Sequence, residues 1–133
     1  MDHTISLAIA DRRRSLVFYR DGLGLEAFGP PADDGVPEPL QLRLAPSVSL
    51  ILIPTGGFGW VIGDHDVAPP EQCECLLSRS AEDDAEVRAV IDKALAAGAA
   101  PVTAPGRQPW GYAGAFADPD GHVWMVTAEP LGE

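Results

Sequence analysis

The stretch WGYAGAFADPDGHVW, residues 110–124, carries most of the information about the fold. Apolar and small residues fill both of its halves, and the sequence Asp-Pro-Asp-Gly at residues 118–121 separates them. Its proline and glycine stand where a tight turn favours them. The stretch therefore predicts two strands, residues 110–117 and 122–128, joined by a short turn.

The residues before this stretch predict a strand, a helix and a further strand. Residues 73–79 form the first strand, and residues 101–103 form the second. Between them, residues 80–97 contain a helix that ends at Gly98 and has acidic residues near its start. The apolar side chains of one helix face are Val87, Val90, Ile91, Ala94 and Leu95.

The first half of the chain repeats this order. Residues 4–10 alternate, with Ile5, Leu7 and Ile9 on one side of a strand and Thr4, Ser6 and Ala8 on the other. Asp11 caps a helix that ends near Gly22 and Gly24. A short strand ends at Phe28, and a proline-rich loop follows at residues 29–39. Two further strands cover residues 40–44 and 48–53. Each half thus contains a strand, a helix and three strands.

The segment 54–70 between the halves is predicted to be a long loop. It contains several glycines, a pair of prolines and the aromatic residues Phe58 and Trp60. Long loops in small domains are often functional. The two aromatic side chains favour a lid over a solvated linker. The chain is then one domain, with a first module at about residues 1–55 and a second at about 71–130.

Length and charge exclude several classes of function. The 133 residues correspond to one domain, and 9 basic against 20 acidic residues give a net charge of −11. This charge repels polyanions, so we expect no nucleic-acid partner and no binding to anionic membranes. No run reaches the roughly 18 apolar residues that cross a bilayer.

We expect the protein to be cytoplasmic. No basic region followed by an apolar one marks a signal peptide at the amino terminus. Cys73 and Cys75 lie in a predicted strand, where a bridge between them would be strained and a cytosolic chain would keep them reduced.

Two motifs resemble the vicinal oxygen chelate superfamily of glyoxalases, bleomycin-resistance proteins and extradiol dioxygenases. One is DRRRSLVFY, residues 11–19, followed by GLGL, residues 22–25; the other is the stretch 110–124 quoted above. The resemblance covers nearly the whole chain. It implies an α+β fold in which two βαβββ modules form curved mixed sheets around a shared cleft. It also implies a homodimer.

The resemblance implies a divalent metal held by His, Gln or Glu, but the residues depart from that pattern. Met125 follows Trp124 where metal-using members have a glutamate, and a thioether is a poor ligand for these ions. Thr4 stands where those members have a histidine. His3 is one residue too early, so it faces the opposite side of the strand unless a bulge rescues it. We therefore predict no metal and no cofactor.

Other candidate sites are weaker. His65 lies between two aspartates on a glycine-rich loop, where solvation is more common than metal binding, and His122 follows a turn. Cys73, Glu74 and Cys75 could each ligate a metal ion, but the sequence shows no clear set of further ligands to go with them. No nucleophile elbow or phosphate-binding loop is present.

The remaining pattern favours an aromatic-lined cleft. With Trp124 on the side packed against a helix, Met125 and its alternate neighbours face inward together with Thr4 and Ser6. Tyr112 and Phe116 share one strand face that the sequence leaves unassigned. Hydroxyls, aromatic rings and a thioether suit a flat, partly apolar organic ligand. The predicted ligand-binding residues are Thr4, Ser6, Trp60, Trp110, Tyr112, Phe116 and Met125.

Two functions fit this cleft. The first is a metal-free binding protein of the glyoxalase/bleomycin-resistance type, which sequesters a drug or metabolite without chemistry. The alternative is a metal-dependent lyase, isomerase or dioxygenase with atypical ligands. Metal-free catalysis by another inward acid stays open, and no catalytic residue is assigned.

Overall fold

Two four-stranded mixed sheets form the framework of the protein in a computed structural model that describes residues 1–63 and 65–128. The chain divides into two units, Met1–Pro69 and the residues from Pro70 onward. Each unit consists of one sheet with its own helices, which confirms the predicted α+β class. The assignment of both units to a single domain stays a prediction.

The first unit has the strand order β1-β4-β3-β2. Strand β1 runs parallel to β4, and the other neighbours are antiparallel. Helix α1 continues directly into a π-helical turn. The elements are β1 His3–Ile9, α1 Arg12–Leu16 with the π-helical turn Val17–Gly22, β2 Glu26–Phe28, β3 Leu40–Ala45, β4 Val48–Pro54 and α2 Thr55–Val61.

The second unit has the corresponding order β5-β8-β7-β6, again with its first and last strands parallel. The duplication expected from the sequence is therefore present at the level of strand order and direction. The elements are β5 Leu76–Ala81, α3 Asp84–Ala96, β6 Ala100–Gln108, β7 Gly111–Ala117 and β8 Val123–Ala128. None of the helices in the described part of the chain has the length and apolar character needed to span a membrane.

Alternating residues build the core of the first unit. Leu7 and Ile9 of β1 are buried, whereas Thr4 and Ser6 of the same strand are exposed, as the alternation predicted. Phe18 is buried beside Tyr19, with an edge-on contact at 5.0 Å between ring centroids. Asp11 caps α1 by accepting a hydrogen bond from the Arg14 N–H at 3.0 Å.

The core of the second unit lies between its sheet and α3. Val87, Ile91 and Ala94 of the helix are buried, and α3 contacts β7 and β8. Trp124 of β8 is 5% exposed and stacks on Phe116 of β7 with ring centroids 6.4 Å apart. Trp124 is thus on the helix-packed side of the sheet, as predicted.

The loop 29–39 is anchored by Arg12. The guanidinium donates to the Asp34 carboxylate at 2.8 Å and to the carbonyl oxygens of Val36 and Pro37 at 2.7 and 3.0 Å. The N–H of Val36 donates to Asp34 at 3.0 Å, and this bond, with the Arg12 contact, lowers the pKa of Asp34 below its usual value. Val36 itself is fully buried.

Two sequence predictions were wrong. The segment 54–70 is not loop throughout, because its first part forms α2, which contacts β1 and β4 and whose Thr55 hydroxyl donates to the Ile9 carbonyl at 3.0 Å. Cys73 and Cys75 precede β5 and are exposed. Strand β5 begins only at Leu76, because pairing with β8 begins there, opposite Val123.

Candidate functional site

Each sheet has one face turned to the buried core and one opposite face, which we call the open face of that sheet. Side chains on the open faces are exposed or partly exposed in most positions. Thr4, Ser6 and Met125 lie on open faces, the first two in the first unit and Met125 in the second.

Strand register arranges the open face of the first sheet in two transverse rows. In register, residues opposite one another on neighbouring strands share a face. The first row is therefore polar, and the second combines an aromatic ring, an amide, an aliphatic side chain and a hydroxyl. The rows are Glu26–Arg43–Ser49–Thr4 and Phe28–Gln41–Ile51–Ser6.

Arg43 is a candidate site residue that the sequence analysis did not identify. Its guanidinium carbon lies 4.4 Å from the centroid of the Phe28 ring, and its Nε is 3.6 Å from a Glu26 carboxylate oxygen. The signal was present in the alternation of residues 40–44, which places Gln41 and Arg43 on the same side as each other. The alternation alone does not show which residues of the neighbouring strands lie beside Arg43.

The open face of the second sheet is centred on Met125. Strand pairing sets Met125 between Ser78 of β5 and Ala115 of β7. Thr127, two residues further on, has a buried hydroxyl oxygen with no hydrogen-bond partner among the described residues. None of the positions on this face in β5, β7 and β8 is charged: they are Leu76, Ser78, Ser80, Ala113, Ala115, Ala117, Val123, Met125 and Thr127.

Two predicted ligand-binding residues, Tyr112 and Phe116, lie on the other face of this sheet. Their cross-strand neighbours are Ala128 and Trp124, so they share the core side. Phe116 is only 1% exposed. The structure therefore separates both aromatic side chains from Met125, and neither is used in the functional proposal below.

The turn between β7 and β8 explains this separation. The Gly121 N–H donates to the Asp118 carbonyl at 2.9 Å, and Gly121 has a left-handed backbone with φ of 89°. The Asp118 N–H then donates to the His122 carbonyl at 2.8 Å, which closes a three-residue loop. If the same sequence formed a two-residue loop instead, each residue of β7 would pair one position further along β8, and Phe116 would lie on the Met125 side.

Tyr112 already has cationic partners. The Arg88 guanidinium donates to its hydroxyl at 3.2 Å, and this hydrogen bond raises the pKa of Arg88 above its usual value. The guanidinium carbons of Arg88 and Arg107 lie 5.7 and 5.8 Å from the ring centroid. Tyr112 is thus part of a contact between α3 and β6.

The two remaining predicted aromatic residues are strongly exposed. Trp60 lies on α2 of the first unit and is 85% exposed, while Trp110 lies in the turn before β7 of the second unit and is 48% exposed. A role for either as a binding wall stays a prediction.

The residues present do not fit the divalent metal of the resemblance. Strand β1 pairs with β4 in unbroken register from His3 to Ile9, so no bulge turns His3 to the open face with Thr4. The His65 ring is within 3.0 Å of the Ile62 carbonyl, and its neighbour Asp64 lies outside the described residues. Across residues 1–63 and 65–128, no group of three or more His, Cys, Asp or Glu is arranged to hold a metal ion.

Comparison with known proteins places the chain in a family. The model of the Glyoxalase/Bleomycin resistance protein/Dioxygenase superfamily matches residues 1–126. A search of curated proteins finds no significant match.

Several solved structures share the fold. Hypothetical protein SA1046 from S. aureus is 24% identical with a TM-score of 0.82, over 97% of this chain and 94% of that one. A glyoxalase-related enzyme from Fulvimarina pelagi is 24% identical with a TM-score of 0.81, over 98% and 88%. TnmS3, an antibiotic binding protein from Streptomyces sp. CB03234, is 23% identical with a TM-score of 0.61, over 98% and 96%.

The matched region includes both sheets and the turn that joins β7 to β8. With the duplicated strand order already described, it establishes that the chain belongs to the Glyoxalase/Bleomycin resistance protein/Dioxygenase superfamily.

Proposed function

We propose that the protein is a metal-free small-molecule-binding protein that sequesters a drug or metabolite without chemical conversion. The ligand surface that we propose is the open face of the second sheet, centred on Met125. Its occupant is the flat, uncharged and partly apolar part of an organic molecule.

The observation that carries the proposal is the set of neighbours of Met125. A metal-dependent enzyme needs several lone-pair donors on one face, with positions left open for substrate. Here Met125 has Ser78 on one side and Ala115 on the other. A thioether, a neutral hydroxyl and a methyl group make a poor ligand set for a divalent ion but a suitable surface for an organic ring.

The partly exposed side chains near Met125 support the same proposal. Ala117 and Val123 lie on the same open face and are partly exposed, whereas Ala113 and Ala115 on that face are buried, at 3% and 8% exposure. A planar ring that covers about 100 Å² of apolar surface gains about 2.5 kcal/mol.

A fold relative supports a binding role. One solved structure with this fold is an antibiotic binding protein.

We further propose that the chain forms a homodimer in the cytoplasm. Trp60 and Val61 of α2 are 85% and 62% exposed, and large exposed apolar side chains favour association. Sedimentation at micromolar concentration tests the dimer, and a 14.0 kDa species would contradict it.

Metal analysis and probe binding together test the function. Elemental analysis after purification without chelators should find no stoichiometric divalent metal; about one equivalent per chain would favour the metal-dependent alternative. The neutral dye N-phenyl-1-naphthylamine should bind saturably, with enhanced emission. Met125→Ala should weaken its binding several-fold, whereas the control Val17→Ala, at a 46% exposed site of the first unit, should not. Equal affinities in the two variants would contradict the proposed surface.

A further inference from the structure

We propose that the open face of the first sheet contains an anion-recognition site in which Arg43 binds the carboxylate of a planar organic acid. This site goes beyond the proposed function and does not depend on the second sheet. It rests on how Arg43 is held and on which of its hydrogen-bonding groups are free.

The guanidinium of Arg43 is held in place by an aromatic ring and an ion pair, but makes no hydrogen bond to either. It stacks over Phe28 at 4.4 Å, which restricts its plane. Its nearest charge, a Glu26 carboxylate oxygen, lies 3.6 Å from Nε, which is too far for a hydrogen bond. Arg43 makes no side-chain hydrogen bond among the described residues. A guanidinium carries five N–H donors in a fixed planar fork, so its donors are available to a ligand.

Other arginines of the chain show the contrast. Arg12 donates to Asp34 and to two backbone carbonyls, and Arg20 donates to Asp21 at 2.8 Å. Arg88 donates to the Tyr112 hydroxyl. These three guanidinium groups donate hydrogen bonds to protein acceptors, whereas that of Arg43 stacks on the Phe28 ring and is ion-paired with Glu26 at 3.6 Å without a hydrogen bond.

The neighbours of Arg43 fit an organic acid better than an inorganic anion. Ser49 lies directly across from Arg43 on β4, at the roughly 5 Å Cβ separation of cross-strand pairs, so its hydroxyl can donate to the same carboxylate. Phe28 and Ile51 stand in the next row of the same face. They provide apolar surface beside the guanidinium for the ring of the ligand.

Charge selects the class of ligand. A planar fork pairs with a carboxylate through two parallel hydrogen bonds, a geometry that a neutral amide cannot match in strength. The net charge of −11 disfavours anions at long range. Preference for an acid over its neutral isostere would therefore have to arise from a local group, and Arg43 is the cation of this face.

The test compares 2-naphthoate with its neutral isostere 2-naphthamide by isothermal titration calorimetry. We expect the wild-type protein to bind 2-naphthoate more tightly, and Arg43→Gln to lower that affinity by roughly tenfold to a hundredfold, since hydrogen bonds to charged groups are the strong ones. Binding of 2-naphthamide should not change. Arg79→Gln, which removes an exposed arginine of β5, is the matched control and should leave both affinities unchanged.

Glu26→Gln gives a result of the opposite sign. It removes the carboxylate that competes for Arg43, so affinity for 2-naphthoate should rise, which a merely structural role of the pair would not produce. An Arg43→Gln protein that keeps wild-type affinity for 2-naphthoate would overturn the inference. So would a wild-type protein that does not discriminate between the two compounds. Neither result would touch the proposed function, which the neutral dye and Met125 test separately.

Discussion

Trp124→Ala should destabilise the protein by about 3–5 kcal/mol, which is typical of a large aromatic residue removed from a core. The structure supports the upper part of this range of destabilisation, because Trp124 is 5% exposed and its ring stacks on Phe116 with an interplanar angle of 6°. A buried tryptophan covers roughly 200 Å², so its transfer contributes about 5 kcal/mol, of which alanine retains a small part.

Trp60→Ala is the matched control, since it removes the same side chain from a site that is 85% exposed. Surface substitutions of this kind usually change the free energy of unfolding by less than about 0.5 kcal/mol. Both variants lose one of three tryptophans, so fluorescence changes cannot be compared directly. Far-UV circular dichroism in urea measures unfolding in both proteins without that problem.

The midpoint of urea unfolding should fall by roughly 2 M for Trp124→Ala, for a loss of about 4 kcal/mol and a slope of about 2 kcal/mol/M. It should be nearly unchanged for Trp60→Ala. A loss below about 1 kcal/mol for Trp124→Ala, against the large cost of emptying a core site, would mean that the two faces of β8 are reversed. Met125 would then point into the core, and the proposed ligand surface would lose its basis.

Three further perturbations test other parts of the structure. Gly121→Ala should lower the free energy of unfolding by more than about 2 kcal/mol in thermal unfolding, because the added Cβ would lie 2.2 Å from the Pro70 carbonyl oxygen. The control Gly24→Ala, also at positive φ but in open space, should cost about 1 kcal/mol, and equal losses in the two variants would refute the clash. Asp83→Ala removes the acceptor of the Glu86 N–H at 2.8 Å and should cost about 1 kcal/mol; an unchanged midpoint would contradict the cap. The lowered pKa of Asp34 predicts that its anchoring of the loop is complete above about pH 3.9 and is lost as the pH falls through the folded-state pKa; the Val36 amide shift should report a midpoint below about 3.9, and one above it would contradict the assignment.

Local sequence patterns were sufficient for most of the strands and for α3. Alternation fixed the two faces of β1, and an apolar stripe at helical spacing fixed the buried side of α3. These signals depend only on neighbours within one element. They are therefore readable without knowledge of the tertiary structure.

Helix α2 could not be predicted for a physical reason. Its sequence TGGFGWV contains three glycines, each of which costs about 1 kcal/mol relative to alanine in a helix. Contacts with β1 and β4, together with the hydrogen bond from Thr55 to Ile9, stabilise a segment whose own preference is for a loop. Tertiary packing outweighs local propensity at this position.

Only the strand faces of the candidate site can be compared with the sequence. Thr4, Ser6 and Met125 lie on the faces that the alternation within their own strands predicted, and their role in ligand binding stays a prediction. Arg43 was missed because its role depends on Phe28 and Glu26, which come from another strand. The face of Phe116 relative to Met125 depends on one residue of turn length, which composition does not specify.

The three-residue turn at Pro119–Gly121 has a consequence for how this sequence can diverge. The turn sets Asp118 opposite His122. A substitution in β7 or β8 alters one side chain at a time, but deletion of one residue between Phe116 and the turn would exchange the two faces of the rest of β7 relative to β8. Phe116 would then move from the core to the open face, and its core position would be taken by small residues. We expect natural variants to tolerate changes of residue type on the open face while keeping the number of residues between Phe116 and this turn constant. Insertions and deletions should accumulate elsewhere, such as in the segment after α2.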